Sequence, residues 1–205
     1  MIARLSVQGV AIQRGDRRLF EGFRLDLAAG EAAALTGANG AGKTSLLRAI
    51  AGFIRPTEGE IGFGGEDGRL LDPEEARSRD IHYLGHQDGL KTSRSVRDEL
   101  VFQVRWTGGD AAEALAAAGT LRLTPLLDLE VRKLSAGQRR RLALARVIAS
   151  RRALWLLDEP LAPLDAAHRA QVGELMAAHL ADGGLIVAAT HDPLPIPVKP
   201  APVGA

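Results

Sequence analysis

The stretch GANGAGKT, Gly37–Thr44, fits the pattern G-x-x-x-x-G-K-[ST]. Its glycines let the backbone curl until the N–H groups of Gly37, Ala38, Asn39, Gly40, Ala41 and Gly42 face inward. A helix opening near Lys43 adds its positive dipole end. Nucleotide phosphates are what such a cradle holds. Lys43 is expected to reach the β- and γ-phosphates of ATP, and Thr44, followed by Ser45, to offer a hydroxyl to Mg²⁺. Further on, ALWLLDEP (Ala153–Pro160) is an apolar run that ends in two acids. Asp158 at its tip is expected to hold the Mg²⁺ shell, and Glu159 to orient an attacking water. Alone, the run would read as a strand ending in a solvated acidic turn. Downstream of a phosphate loop, the hydrolytic reading is the better one.

These groups need elements to position them. Ile2 to Val10 alternates apolar and polar, as do Phe23, Leu25 and Leu27, which predicts half-buried antiparallel strands. Ala32–Leu35, Ile81–Leu84, Ala153–Leu157 and Leu185–Ala189 are short apolar runs suited to buried strands. Between them, helical spacing covers Lys43–Ala51, with Gly52 as its stop, and Ala166–Leu180. Alternation of this kind argues for a mainly parallel sheet flanked by helices, an α/β core. Three further helices, Ser95–Trp106, Asp110–Ala118 and Arg139–Ser150, read as an insertion at about 90–150. Residues 1–192 are expected to form one domain. Half of the ten prolines fall within residues 193–202, so 193–205 is expected to be an extended tail.

Bulk composition excludes several function classes. A formal net charge of +1 argues against nucleic acid as a partner, and Arg140, Arg141 and Arg146 read as a solvated helix face. The absence of cysteine rules out disulfides, thiol catalysis and thiolate metal sites. No apolar run approaches the length that crosses a bilayer, and the N-terminus lacks the apolar core of a signal peptide. The expectation is a cytoplasmic chain that meets a membrane only through a partner.

LSAGQ, Leu134–Gln138, opens the arginine-rich helix, and a late Thr190-His191 follows the last apolar run. The whole order is a phosphate loop, Gln87, LSAGQ, an apolar strand ending in Asp-Glu-Pro, and Thr-His. It resembles the ATPase subunits of ABC transporters over residues 2 to 192. The resemblance implies that two copies meet head to tail. Ser135, Gly137 and Gln138 of one copy would then cap ATP held by the other, with the N-terminus of the helix facing the γ-phosphate. It further implies that Gln87 touches Mg²⁺ and water, that Asp165 crosses the dimer interface, and that His191 holds the water in line. Three positions depart from the family pattern: Arg14 where an aromatic usually stacks on adenine, Ala136 in the signature, and Pro163 in the interface loop.

Small size, the segment YLGHQDGLKTSRSVRDEL (Tyr83–Leu100) and LWLLDEPLAPLD resemble one branch of that family. That branch serves haem delivery for c-type cytochromes, by haem export or by release of a haem-loaded chaperone. The resemblance implies integral membrane partners and a place on the cytoplasmic face of the bacterial inner membrane. A lipid or drug exporter is the alternative cargo class. His86 beside Gln87 reads as an interface residue rather than a haem ligand. Leu90 reads either as an apolar anchor for a membrane partner, rimmed by Lys91 and Arg94, or as a core residue.

Overall fold

The computed structural model describes residues 1–204. The chain begins β1 (Ile2–Arg14), β2 (Arg17–Ala28), β3 (Ala32–Thr36), α1 (Lys43–Ile50), β4 (Glu58–Gly65), α2 (Pro73–Asp80) and β5 (Ile81–Leu84). It continues α3 (Val96–Trp106), α4 (Ala111–Thr120), α5 (Ala136–Ala149), β6 (Leu154–Asp158), α6 (Ala166–Ala181), β7 (Leu185–Ala189) and β8 (Lys199–Pro202). The parallel sheet has the order β5-β6-β7-β3-β8, and a separate antiparallel sheet has the order β2-β1-β4.

The apolar runs are continuous because the parallel sheet is covered on both faces. Successive side chains of a strand point to opposite faces. Leu154 and Leu156 of β6 therefore join Leu185 and Val187 of β7 in one cluster, with Leu46 and Leu47 of α1 and the inner face of the antiparallel sheet. Trp155, Leu157, Ile186 and Ala188 face the other way, into a cluster with α3, α4 and α5. Val96, Leu100 and Val104 form the buried stripe of α3, at the spacing expected for a helix. Each inserted helix starts on its own cap. Ser95 accepts from the Asp98 N–H, and Asp110 with Glu113, then Ser135 with Gln138, form reciprocal capping boxes.

Two elements escape sequence reading. β4 is EGEIGFGG, whose four glycines hide its alternation, and it pairs antiparallel with β1. α2 is PEEARSRD, which buries only Ala76 and so has no apolar period to detect. It is held by Asp72, whose carboxylate accepts from the Glu74 and Glu75 N–H groups, and by Pro73 at its first position.

The proline-rich end does not trail away as expected. Lys199–Pro202 pairs parallel with β3 at the sheet edge, and Ala201 and Val203 are buried. Pro200 and Pro202 alternate with those inward residues, so their missing donors fall on the open edge, where a sheet tolerates proline. The Val203 N–H then donates to Thr36 O at 2.8 Å, just ahead of the phosphate loop.

His82 on β5 is buried, its Nε2 lying 3.0 Å from the carbonyl oxygen and 3.1 Å from the hydroxyl of Ser150. Burial pushes its pKa down from 6.5 to about 3, so the ring stays neutral in the fold. The unfolded chain takes up that proton first. The stabilising contribution is therefore complete above about pH 6.5 and is lost as pH falls toward about 3. For this one group the slope approaches about 1.4 kcal/mol per pH unit. Urea unfolding at pH 7.5, 6 and 5 checks this: His82→Gln should flatten the decline. An unchanged decline in the variant would assign it to other groups.

Candidate nucleotide-hydrolysis site

All the candidate groups on the sheet lie at the carboxyl ends of parallel strands, where α/β proteins place ligands. β3 ends at Thr36 and runs into the phosphate loop. Gly37 has φ +136° and Gly42 φ +106°, and only glycine fits either place. A Cβ at Gly37 would lie 2.6 Å from the Val203 carbonyl oxygen, and one at Gly42 would lie 2.8 Å from the Phe20 ring. The C-terminal segment thus backs the loop directly. Gly42 ends the loop as the left-handed residue before α1.

Lys43 is buried, and its ammonium donates to the carbonyls of Gly37 at 2.7 Å and Ala38 at 3.2 Å. Those bonds hold the charge across the loop mouth, where phosphate oxygens would replace the carbonyls. Thr44 Oγ1 donates to Asp158 Oδ2 at 2.9 Å, and Asp158 is buried at the end of β6. A hydroxyl and a carboxylate meeting this way suit Mg²⁺, which takes few protein oxygens and completes its shell with phosphates and water. No cluster of three or more His, Asp or Glu that could cage a metal occurs among the described residues.

Glu159 follows with φ +50°, a left-handed conformation rare for a residue with a side chain. Its N–H donates to Ala189 O at 2.8 Å, fastening the turn to the end of β7. One residue beyond β7, Thr190 donates its hydroxyl to Asp192 O, a bond that shapes the turn carrying His191. His191 Nε2 comes to 3.7 Å from Glu159 Oε1, so a carboxylate and an imidazole face one space beside the phosphate loop. Such a pair can hold and deprotonate a water.

The remaining residues form a second group. Ser135 Oγ accepts from the Gln138 N–H at 3.2 Å, and Gln138 Oε1 accepts from the Ser135 N–H at 2.8 Å. Gly137 packs so closely on the next loop that a Cβ would stand 2.9 Å from Pro163 O. Asp165 caps α6. The backbone N–H and then the ring of His168 hold its carboxyl below the usual carboxylate range. No hydrogen bond or ion pair joins this group to the phosphate loop among the described residues. Gln87 is exposed on the loop after β5 and hydrogen-bonds to neither group. Arg14 is exposed at the end of β1.

The arginines of α5 correct the expectation of a solvated face. Arg140 is only 2% exposed, Arg146 donates to Gln103 and to Tyr83 O, and Arg141 donates to Leu121 O. Period gives the signal that net charge hid. Arg140 shares a helix face with Ala143, Leu144 and Val147, all buried. Arg169 carries no motif in the sequence. It donates to Ala162 O and Leu164 O and reaches Asp192, tying the Asp165 loop to the His191 turn.

Fold and site together define an ATP-binding cassette. The sequence model described as "ABC transporter" matches residues 20–162, and the chain belongs to that family. More particularly, it is similar to proteins called cytochrome c biogenesis ATP-binding export proteins in Rhodopseudomonas palustris. It is 50% identical over 201 residues to the one from strain BisB18 and 46% identical over 202 residues to the one from strain HaA2. Each alignment covers 98% of both chains. The dimeric structure of MJ0796, a bacterial ABC transporter cassette, superposes with a TM-score of 0.82 over 98% of this chain and 95% of that one. At 22% identity, that match speaks for the fold alone.

Lys43→Ala is expected to weaken ATP binding about 10- to 100-fold, the loss of one charge-assisted hydrogen bond of about 1.5–3 kcal/mol. Titration with a fluorescent ATP analogue measures it. Binding equal to wild type would remove Lys43 from the phosphate site.

Proposed function

We propose that this chain is the ATP-hydrolysing subunit of a membrane complex in cytochrome c biogenesis, working as a head-to-tail pair on the cytoplasmic face. One observation carries the hydrolytic reading. The Thr44–Asp158 pair, buried Lys43 and the Glu159–His191 pair converge at the ends of adjacent parallel strands. Lys43 leaves the loop carbonyls for the β- and γ-phosphates of ATP. Thr44 and Asp158, with Gln87 on its neighbouring loop, would hold Mg²⁺, which would supply charge neutralisation at the phosphates. Glu159 accepts the proton of a water that His191 holds in line.

The pair follows from the division of the site. Ser135, Gly137, Gln138 and Asp165 stand apart from the phosphate loop of their own chain, so a second copy brings them to it. The helix N-terminus at Ser135 then meets the γ-phosphate with free N–H groups. The role in cytochrome c biogenesis, with haem or a haem-loaded chaperone as the cargo, rests on likeness to the two export proteins. No helix among the described residues is long and apolar enough to cross a membrane; in this reading a partner supplies the membrane-spanning part.

A docking surface for that partner lies beside Gln87. An open groove of about 1080 Å³ runs between β5 and α3, with Phe53, Tyr83, Arg94, Gln103, Phe102 and Trp106 among its walls. Phe53, Phe102 and Trp106 are 68%, 48% and 83% exposed, and the last two stack with ring centres 6.4 Å apart. Leu90 is instead half-buried against the core, which favours its reading as a core residue over that of an anchor. Buried Glu99, bonded to Arg94 and to the Lys91 N–H, braces the loop against α3.

Replacing Phe102 and Trp106 together by Asp should leave folding and basal ATPase within about twofold, since both side chains are exposed. Membrane association and cytochrome c assembly should fall at least about tenfold, the loss expected for central aromatic anchors. Undiminished membrane association of the folded variant would exclude the groove. Absence of haem-handling subunits from the co-purified membrane complex would overturn the cytochrome c reading.

A further inference from the structure

Arg140 is the side chain that touches both halves of the hydrolytic machinery from outside it. It stands on α5, five residues after Ser135, and is 2% exposed. Its Nη1 donates to Gly85 O at 3.0 Å and to Asp88 Oδ1 at 2.9 Å, on either side of Gln87. Its Nη2 donates to the carbonyl oxygens of Asp158 and Glu159, the latter at 2.7 Å. One planar fork thus grips the loop of Gln87 and the turn of Glu159, and its own backbone belongs to the helix that Ser135 opens.

The local energetics speak against a purely structural role. Burying a guanidinium opposite one half-buried carboxylate is a weak source of stability. The Nε of Arg140 is buried with no partner at all, a cost that an apolar side chain on the same helix face would avoid. What the placement achieves is geometric. Glu159 sits at φ +50°, a conformation that persists only when its surroundings over-determine it. Ala189 O fixes the N–H of that residue, and Arg140 fixes its carbonyl along with the one before it.

We propose that Arg140 is a positioning residue for ATP hydrolysis. It makes α5, the Gln87 loop and the Glu159 turn move as one unit when a second copy or a membrane partner displaces the inserted helices. The proposal rests on the hydrolytic reading above. Arg140 makes no hydrogen bond to the phosphate loop itself, so it should act on turnover and leave binding alone.

The test measures kcat and KM for ATP in wild type, Arg140→Gln, Arg140→Lys and Asp88→Ala, with Glu159→Gln as the inactive control. Arg140→Gln should lower kcat at least about tenfold with KM within about twofold, the signature of a misplaced catalytic group. Arg140→Lys should fare no better, because one ammonium cannot span both segments in a fixed plane. A residue kept only for buried charge and volume would be rescued by lysine. Asp88→Ala should lower kcat about threefold alone and add nothing in the Arg140→Gln background, since both act through one contact.

Wild-type kcat in Arg140→Gln or in Arg140→Lys overturns the proposal. If both Arg140 variants fail to fold, Asp88→Ala decides, and wild-type turnover in it overturns the proposal. Turnover by wild type and its loss in Glu159→Gln keep the hydrolytic reading standing whichever way the Arg140 arms fall. A folded wild-type chain with no ATPase overturns both.

Discussion

Glu159→Gln is expected to cut ATP turnover about 10³-fold, within the range for removal of a positioned general base. Glutamine matches glutamate in shape, so the turn at φ +50° and its N–H bond to Ala189 O survive. What disappears is the basic oxygen facing His191 across 3.7 Å. Nucleotide affinity should stay within about twofold of wild type, because Lys43, Thr44 and the loop N–H groups are untouched. Binding without turnover leaves the pair closed on ATP. Gel filtration with ATP and Mg²⁺ should therefore show a species of twice the chain mass that wild type forms only transiently. Turnover within tenfold of wild type, or a monomer at every concentration with ATP bound, would contradict the assignment.

Ser135→Arg should abolish hydrolysis by a different route. Ser135 is exposed, caps α5 through its hydroxyl, and makes no bond to its own phosphate loop. Losing that cap costs about 1 kcal/mol, which an α/β core of this size survives. A guanidinium there, however, fills the helix N-terminus that a neighbour's γ-phosphate would approach, and puts a cation at the positive end of the helix. Phosphate release should drop at least about 100-fold, while the isolated chain binds ATP within about twofold of wild type. Lys43→Ala fails in the opposite order, binding first. Parallel loss of binding and turnover in Ser135→Arg would mean that Ser135 serves its own chain's nucleotide, and the head-to-tail pairing would be wrong.

The phosphate loop, the Asp158–Glu159 pair and the parallel strands were legible in the sequence because each depends on short-range order. Glycines at fixed spacing, a strand with both faces buried and acids at its tip leave a mark within eight residues. The bounds of α3, α4 and α6 were legible within two residues for the same reason, through caps and helical period. β4 was not, because its glycines carry no side chains to alternate, and its strand geometry comes from pairing with β1. The proline-rich end gave the wrong impression because its value lies in the partner it finds. Ala201 and Val203 become apolar core only when β3 is beside them.

Arginine shows the division most clearly. The sequence by itself determined that α5 carries Arg139, Arg140, Arg141 and Arg146, and a net charge of +1 suggested that they face water. Which of them is interior was decided by the packing of α5 against the ends of β5 and β6, residues separated from it by up to 63 positions. A charge can be buried only where several acceptors converge on it. For Arg140 three of the four acceptors are backbone carbonyls, which every residue possesses and no residue type announces, and the fourth is the Asp88 carboxylate. Sequence therefore specifies which residue types stand in the phosphate loop and at the strand tip, whereas the tertiary fold alone specifies what joins the Gln87 loop and the Glu159 turn to the helix that Ser135 opens.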